Sequence, residues 1–183
     1  MARFSRVILA GAATGLVLVA FGRTLQVRDE EATSSSVVPE SIEVPAIDLD
    51  APLMKLGLTK GGEVELPPYE KPKVAGWFKH SAVPGERGAS VIIGHVDTKT
   101  APAVFYKLRQ LRKGQLVKVS RSDGKVAEYK VDSVEQVGKD RFPAERVYTE
   151  AGLRLVTCGG NFDYARHEYE DNIIVYASPV RLA

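Results

Sequence analysis

Residues 115–137 read QLVKVSRSDGKVAEYKVDSVEQV, and their punctuation sets the fold class. Asp123-Gly124 is a strong hairpin signal, because a tight two-residue β-turn needs positive φ and these residue types tolerate it. The stretches 115–121 and 125–137 on either side read as the two strands of that hairpin. Upstream, residues 89–93 (ASVII) form a short buried run closed by Gly94. Downstream, 153–158 (LRLVTC) and 172–177 (NIIVYA) read as two further strands. Residues 41–47 alternate Ile42, Val44 and Ala46 but carry Pro45, which suits an edge strand. Residues 101–111 place Val104, Phe105, Leu108 and Leu111 on one helical stripe, with Pro102 in the first turn, and predict a short helix. Six or more strands, hairpin turns and one short helix predict a mainly β protein: a mixed or antiparallel barrel rather than a βαβ sheet.

The chain has 183 residues, room for one ordinary domain and an appendage. Its 44% hydrophobic and 26% charged residues exclude wholesale disorder. Lys and Arg number 25 against 23 Asp and Glu, so the net charge is +2, which argues against a nucleic-acid binder. The appendage is N-terminal. Residues 7–22 (VILAGAATGLVLVAFG) carry no charge and follow Arg3 and Arg6. As a helix this stretch would span roughly 24 Å, short against a hydrocarbon core of about 30 Å. It reads either as a cleaved signal or as an uncleaved anchor. Phe21, Gly22 and Arg23 stand where an Ala-x-Ala cleavage site belongs, which favours an anchor over residues 1–23, with arginines snorkelling at both ends. Residues 24–41 are a polar, Ser-rich tether, and the folded domain is expected over 42–183. The expected location is the cell membrane, single-pass, with the domain outside.

Alternation within 153–158 puts Arg154, Val156 and Cys158 on one face and Leu153, Leu155 and Thr157 on the other. The strand is expected to stop at Gly159-Gly160, where two glycines let another backbone or a substrate approach the thiol. Cys158 is the only cysteine, so it can form neither an internal disulfide nor a thiolate metal cluster. It reads either as a small buried hydrophobe or as a nucleophile. A nucleophilic thiol needs a partner that manages its proton. His95, behind Gly94 at another strand end, is the best placed of the three histidines; His80 and His167 read as surface residues.

Gly94-His95-Val96-Asp97-Thr98, Ala103-Val104-Phe105, Leu155-Val156-Thr157-Cys158-Gly159-Gly160, Phe162-Asp163 and Tyr169-x-Asp171-Asn172 together resemble the signature blocks of sortases, most closely the class F, actinobacterial branch. The resemblance implies an eight-stranded sortase-type β-barrel with short helices, preceded by an N-terminal transmembrane helix. It implies a cysteine transpeptidase that cleaves a Leu-Pro-x-Thr-Gly-type sorting signal between Thr and Gly. Cys158 would form a thioester with the Thr carbonyl. His95 would protonate the departing glycine amine and deprotonate the incoming amine of a cell-wall precursor or a protein. No metal or organic cofactor is implied. An ordinary thiol and imidazole are mostly neutral together at pH 7, so the reactive ion pair would be a minority form.

The family also uses an arginine to hold the substrate and its oxyanion. Arg166, eight residues after Cys158, is the choice here, with Arg141 as the other candidate; many sortases place this arginine on the following strand, where Asn172 stands. Asp97 reads as an orienter of His95 or as a turn cap. Residues 136–152 are too long for a hairpin and are expected to wall a substrate groove, with Tyr148, Phe162 and Tyr169 either lining it or packing the core. Two other classes stay open: a secreted cysteine hydrolase of the cell envelope, and a membrane-tethered binding module that uses neither residue.

Overall fold

A computed structural model describes residues 37–180; the expected anchor and most of the expected tether lie outside them. Among the described residues, no helix is long and apolar enough to cross a membrane. Eight strands form the framework: β1 (Pro39–Val44), β2 (Leu49–Leu56), β3 (Ala75–Phe78), β4 (Ala89–Ile93), β5 (Leu116–Arg121), β6 (Val126–Gly138), β7 (Gly152–Asp163) and β8 (Glu168–Pro179). They close into a barrel in the order β1-β2-β3-β4-β7-β8-β6-β5, with β1 pairing β5 at the seam. The β2–β3 and β4–β7 pairs are parallel and the others antiparallel.

Alternation builds the interior. Ile42 and Val44 of β1, Val117 and Val119 of β5, Tyr129 and Val131 of β6, Leu153 and Leu155 of β7, and Val175 and Ala177 of β8 meet in one core, plugged by Phe105 and Leu108. A second apolar cluster covers the opposite face of β4, β7 and β8, where Val91, Ile93, Val156, Ile174 and Tyr176 pack against Val147. These three strands are therefore buried on both faces, which is why they read as nearly continuous apolar runs.

Val147 belongs to the one α-helix among the described residues, α1 (Ala144–Tyr148), and is its one buried residue. Five residues are too few for a helix to persist unaided. Burial of the Val147 side chain, worth about 1.5–3 kcal/mol, docks this turn on the barrel. The 136–152 connection is thus a 3-10 turn at Lys139–Arg141 followed by α1.

Three expectations are corrected. Residues 101–111 form turns and a short 3-10 segment, Leu108–Gln110, instead of a helix. Their amides are spent elsewhere: Ala103 N donates to Val96 O, Val104 N to Pro72 O and Phe105 N to His95 O. The apolar stripe is nevertheless buried as a plug. β1 is not an edge strand, since it pairs with both β2 and β5, and Pro45 falls just past its end. β1 itself begins at Pro39. β7 does not stop at Cys158 but continues to Asp163. β2 and β3 went unread in the sequence. Pro52 disguises β2, and the fold tolerates it because pairing with β3 begins only at Leu53.

Candidate active site

β4 and β7 run side by side in the same direction, with Ile93 opposite Val156 and Gly94 N donating to Val156 O at 3.1 Å. His95 lies two residues past Ile93, and Cys158 two residues past Val156. Both therefore stand the same two-residue step along neighbouring parallel chains, His95 past the end of β4 and Cys158 within β7. Gly94 is required there: a Cβ on it would stand 2.6 Å from Val104 and 2.7 Å from Phe105, the plug beneath His95.

Cys158 follows the alternation onto the Val156 face and is partly exposed, opposite Asn172 of β8. Thr157 points to the other face, buried, with its hydroxyl unpartnered. The two glycines serve β8 at least as much as the thiol. A Cβ on Gly159 would press on Ile173 at 2.6 Å. Gly160 has φ +78°, and a Cβ on it would collide with Asp171. The register slips between Gly159 and Phe162, so the diglycine begins a bulge that carries the β7–β8 hairpin onward.

His95 is only 7% exposed. Its Nε2 lies 2.6 Å from the carbonyl of Pro67, and its ring stacks on Tyr69 with centroids 4.1 Å apart and planes 17° apart. A carbonyl only accepts, so Nε2 carries the proton in this arrangement, and Nδ1 is the free nitrogen of the neutral ring. Burial pushes the Cys158 thiol above its ordinary value; the Lys139 charge opposes that shift, while Asp97 and Glu168 add to it. Lys139 is held by Glu168 at 2.8 Å. Tyr169 donates a short hydrogen bond to Asp97, which with burial raises the phenol to about 12.

Arg166 sits at the hairpin tip between β7 and β8. Its Nε meets Asp163 at 2.7 Å and Glu168 at 3.8 Å. Its partner Asp163 stands five residues beyond Cys158 on β7, past the register slip. Arg141 is exposed on the 3-10 turn after β6, with Asp140 at 3.8 Å. His80 packs edge-on against Phe78, and His167 occupies a positive-φ turn position; both are exposed. Asp97 accepts from Tyr169 and so links its segment to β8, and Phe162 packs edge-on between Tyr164 and Tyr169. Tyr148 stands beside Phe78 and Phe142 at the rim of the outer apolar cluster.

Arg154, on the Cys158 face, is buried in a different role: it donates to the carbonyls of Arg146, Leu153 and Glu150 and stacks on Tyr176. The sequence reading had no route to Lys139, Pro67 or Tyr69. None lies in a recognisable motif with Cys158 or His95, and only the register places them. Among the described residues, no three His, Cys, Asp or Glu side chains converge to hold a metal ion.

The closed barrel thus carries Cys158, the one cysteine of the sequence, on β7 and His95 just past the end of the parallel strand β4. A sortase-domain family model matches residues 42–180, and the chain belongs to the sortase family, whose members are cysteine transpeptidases acting on sorting signals. Its fold is similar to that of a lid mutant of sortase A from Corynebacterium diphtheriae (22% identity, TM-score 0.59, covering 80% of this chain and 72% of that one). It is also similar to sortase C-1 from Actinomyces oris (22% identity, TM-score 0.60, 78% and 73% covered). Sortase C from Streptococcus pneumoniae matches at 25% identity and TM-score 0.57, with 79% and 69% covered. No curated protein sequence matches the chain.

Proposed function

We propose that the protein is a class F-type sortase that cleaves a Leu-Pro-x-Thr-Gly-type signal between Thr and Gly and transfers the Thr carbonyl to an amine. The observation that supports this reading is the register of β4 against β7, with Ile93 opposite Val156 and His95 and Cys158 each two residues further on. The Cys158 thiolate attacks the Thr carbonyl, and the tetrahedral oxyanion collapses with loss of the glycine amine. His95, as imidazolium, gives that amine its proton, leaving a thioester on Cys158. An acceptor amine then attacks the thioester and loses its proton to His95, and the thiol is freed. The acceptor is an amine of a peptidoglycan precursor or of another protein.

Burial raises the Cys158 thiol and so disfavours the thiolate form that attacks. The outer cluster beside Val156, with Phe142 and Tyr148 at its rim, offers an apolar floor for the Leu-Pro part of the signal. Arg166 is assigned to the oxyanion. Its pairs with Asp163 and Glu168 are on the surface, where such pairs hold only about 0–1 kcal/mol, so a substrate can draw the guanidinium away. Residues 1–23 anchor the chain in the cell membrane with the barrel outside.

A fluorogenic Leu-Pro-x-Thr-Gly peptide, assayed with and without an added amine, tests the reading. Wild type gives amine-dependent ligation, and Cys158→Ala and His95→Ala give none. Hydrolysis indifferent to amine makes the protein a peptidase instead. Arg166→Ala is expected to lose roughly 10²–10³ in turnover, the scale of a lost oxyanion donor; near-full activity removes Arg166 from the site.

A further inference from the structure

His95 leaves β4 on a loop that is bonded mainly to itself. Ala103 N donates to Val96 O at 3.0 Å and Phe105 N to His95 O at 2.9 Å, and Asp97 bridges Pro102. These contacts make residues 95–105 a unit but do not fix that unit against the hairpin carrying Cys158. The last backbone link to β7 is Gly94 N to Val156 O, before His95 is reached. Beyond it, a side chain makes the connection: the Tyr169 hydroxyl donates to Asp97 Oδ2, spanning 72 positions of sequence. Tyr169 lies on β8 opposite Phe162, three residues before Asn172, which pairs with Cys158. The Phe162 ring meets the Tyr169 ring edge-on at 5.2 Å and aims the hydroxyl.

We infer that Asp97 and Tyr169 are positioning residues of this site: their hydrogen bond straps the His95 loop to the Cys158 hairpin and holds a carboxylate near the thiol. The inference rests on the Cys158–His95 reading above and adds to it two residues that touch neither substrate nor leaving group. Misplacing a reacting pair by about an ångström costs on the order of 10²-fold in rate, so one such bond is enough to matter. The charged groups acting on the thiol are Asp97 after β4, Lys139 after β6 and Glu168 on β8, and Tyr169 faces Asp97. Of these, only Asp97 is both part of the strap and a source of charge at the sulfur.

The test uses the full-length chain, a Leu-Pro-x-Thr-Gly peptide with an added amine, and iodoacetamide as a thiol probe. Tyr169→Phe removes the bond and keeps the ring. It is expected to lower kcat by roughly 10- to 100-fold with little change in KM, and to speed hydrogen exchange over residues 95–103. Asp97→Asn keeps an acceptor for the hydroxyl and removes the charge. It is expected to lose less turnover than Tyr169→Phe while moving the midpoint of Cys158 alkylation to lower pH, a shift that loosened packing alone does not produce. Wild-type kcat in Tyr169→Phe, or an unmoved alkylation midpoint in Asp97→Asn, overturns the inference. Alkylation and exchange need no peptide. Absence of amine-dependent turnover in wild type therefore defeats the transferase reading separately, while those two measurements still decide the strap.

Discussion

The ring of Tyr69 lies flat on the ring of His95, 4.1 Å away and 17° from parallel, while the carbonyl of Pro67 holds His95 Nε2. One short segment before β3 thus covers one face of the imidazole and occupies one of its nitrogens. Tyr69 itself is 64% exposed, so little packing holds its outer side.

Removing that ring uncovers the imidazole. Tyr69→Ala is expected to raise the rate of His95 acylation by diethyl pyrocarbonate several-fold, read by mass spectrometry of the His95 peptide. Tyr69→Phe, which can still stack, stays near wild type. Equal rates in all three proteins would mean that the stack does not shield His95.

Lys139 is the cation whose charge draws the Cys158 thiol down against burial, and it also pairs with Glu168. Lys139→Gln removes that charge and the nearer of the two cations at Glu168, leaving only Arg166 at 3.8 Å, and both changes disfavour the thiolate. Alkylation of Cys158 near pH 8 is expected to slow several-fold, with its midpoint moved to higher pH. A midpoint at or below that of wild type rules out the electrostatic role.

The Tyr169 phenol is raised from 10.0 to about 12, first by its bond to Asp97 and then by burial. A group whose value is raised on folding stabilises the fold fully below its unfolded value, and that stabilisation fades as pH climbs through the folded value. Wild type is therefore expected to lose thermal stability more steeply than Tyr169→Phe between pH 10 and 12. The other tyrosines that burial raises, Tyr129, Tyr148 and Tyr176, contribute to both proteins alike, so the difference between the two curves isolates Tyr169. Parallel curves would show that the bond to Asp97 does not hold in solution.

Gly94 has Val104 and Phe105 where a Cβ would go. Gly94→Ala forces the plug or the loop to move and is expected to cost about 1–3 kcal/mol in denaturant unfolding, the usual range for overpacking. Because His95 is the next residue, peptide turnover falls by more than the loss of folded protein explains. A variant as stable and active as wild type would show that the plug yields freely.

The turn chemistry and the alternation were open to reading along the chain, because both are local. Gly124 takes φ +75° between β5 and β6, as Asp123-Gly124 requires. Leu153 and Leu155 face the core while Val156 and Cys158 share the other face, as a period of two dictates. The same local logic failed for residues 101–111. Their apolar spacing is helical, but Pro102 and the outward-donating amides of Val104 and Phe105 make them a plug. The strand in β7 was read one bulge too short, since the stop suggested by Gly159-Gly160 is a slip in pairing that β8 absorbs.

The candidate site divides in the same way. His95 was legible as the residue behind a strand and its glycine, and Cys158 as the one thiol of the sequence, beside a diglycine. Their meeting, the cover of Tyr69 over His95, the reach of Lys139 toward the sulfur and the bond from Tyr169 to Asp97 all depend on which strands became neighbours. A strand's alternation says which face a side chain takes, but not which strand lies beside it. Pairing partners are chosen by barrel closure and by burial on both faces of β4, β7 and β8, and so they exist only once the whole barrel has closed.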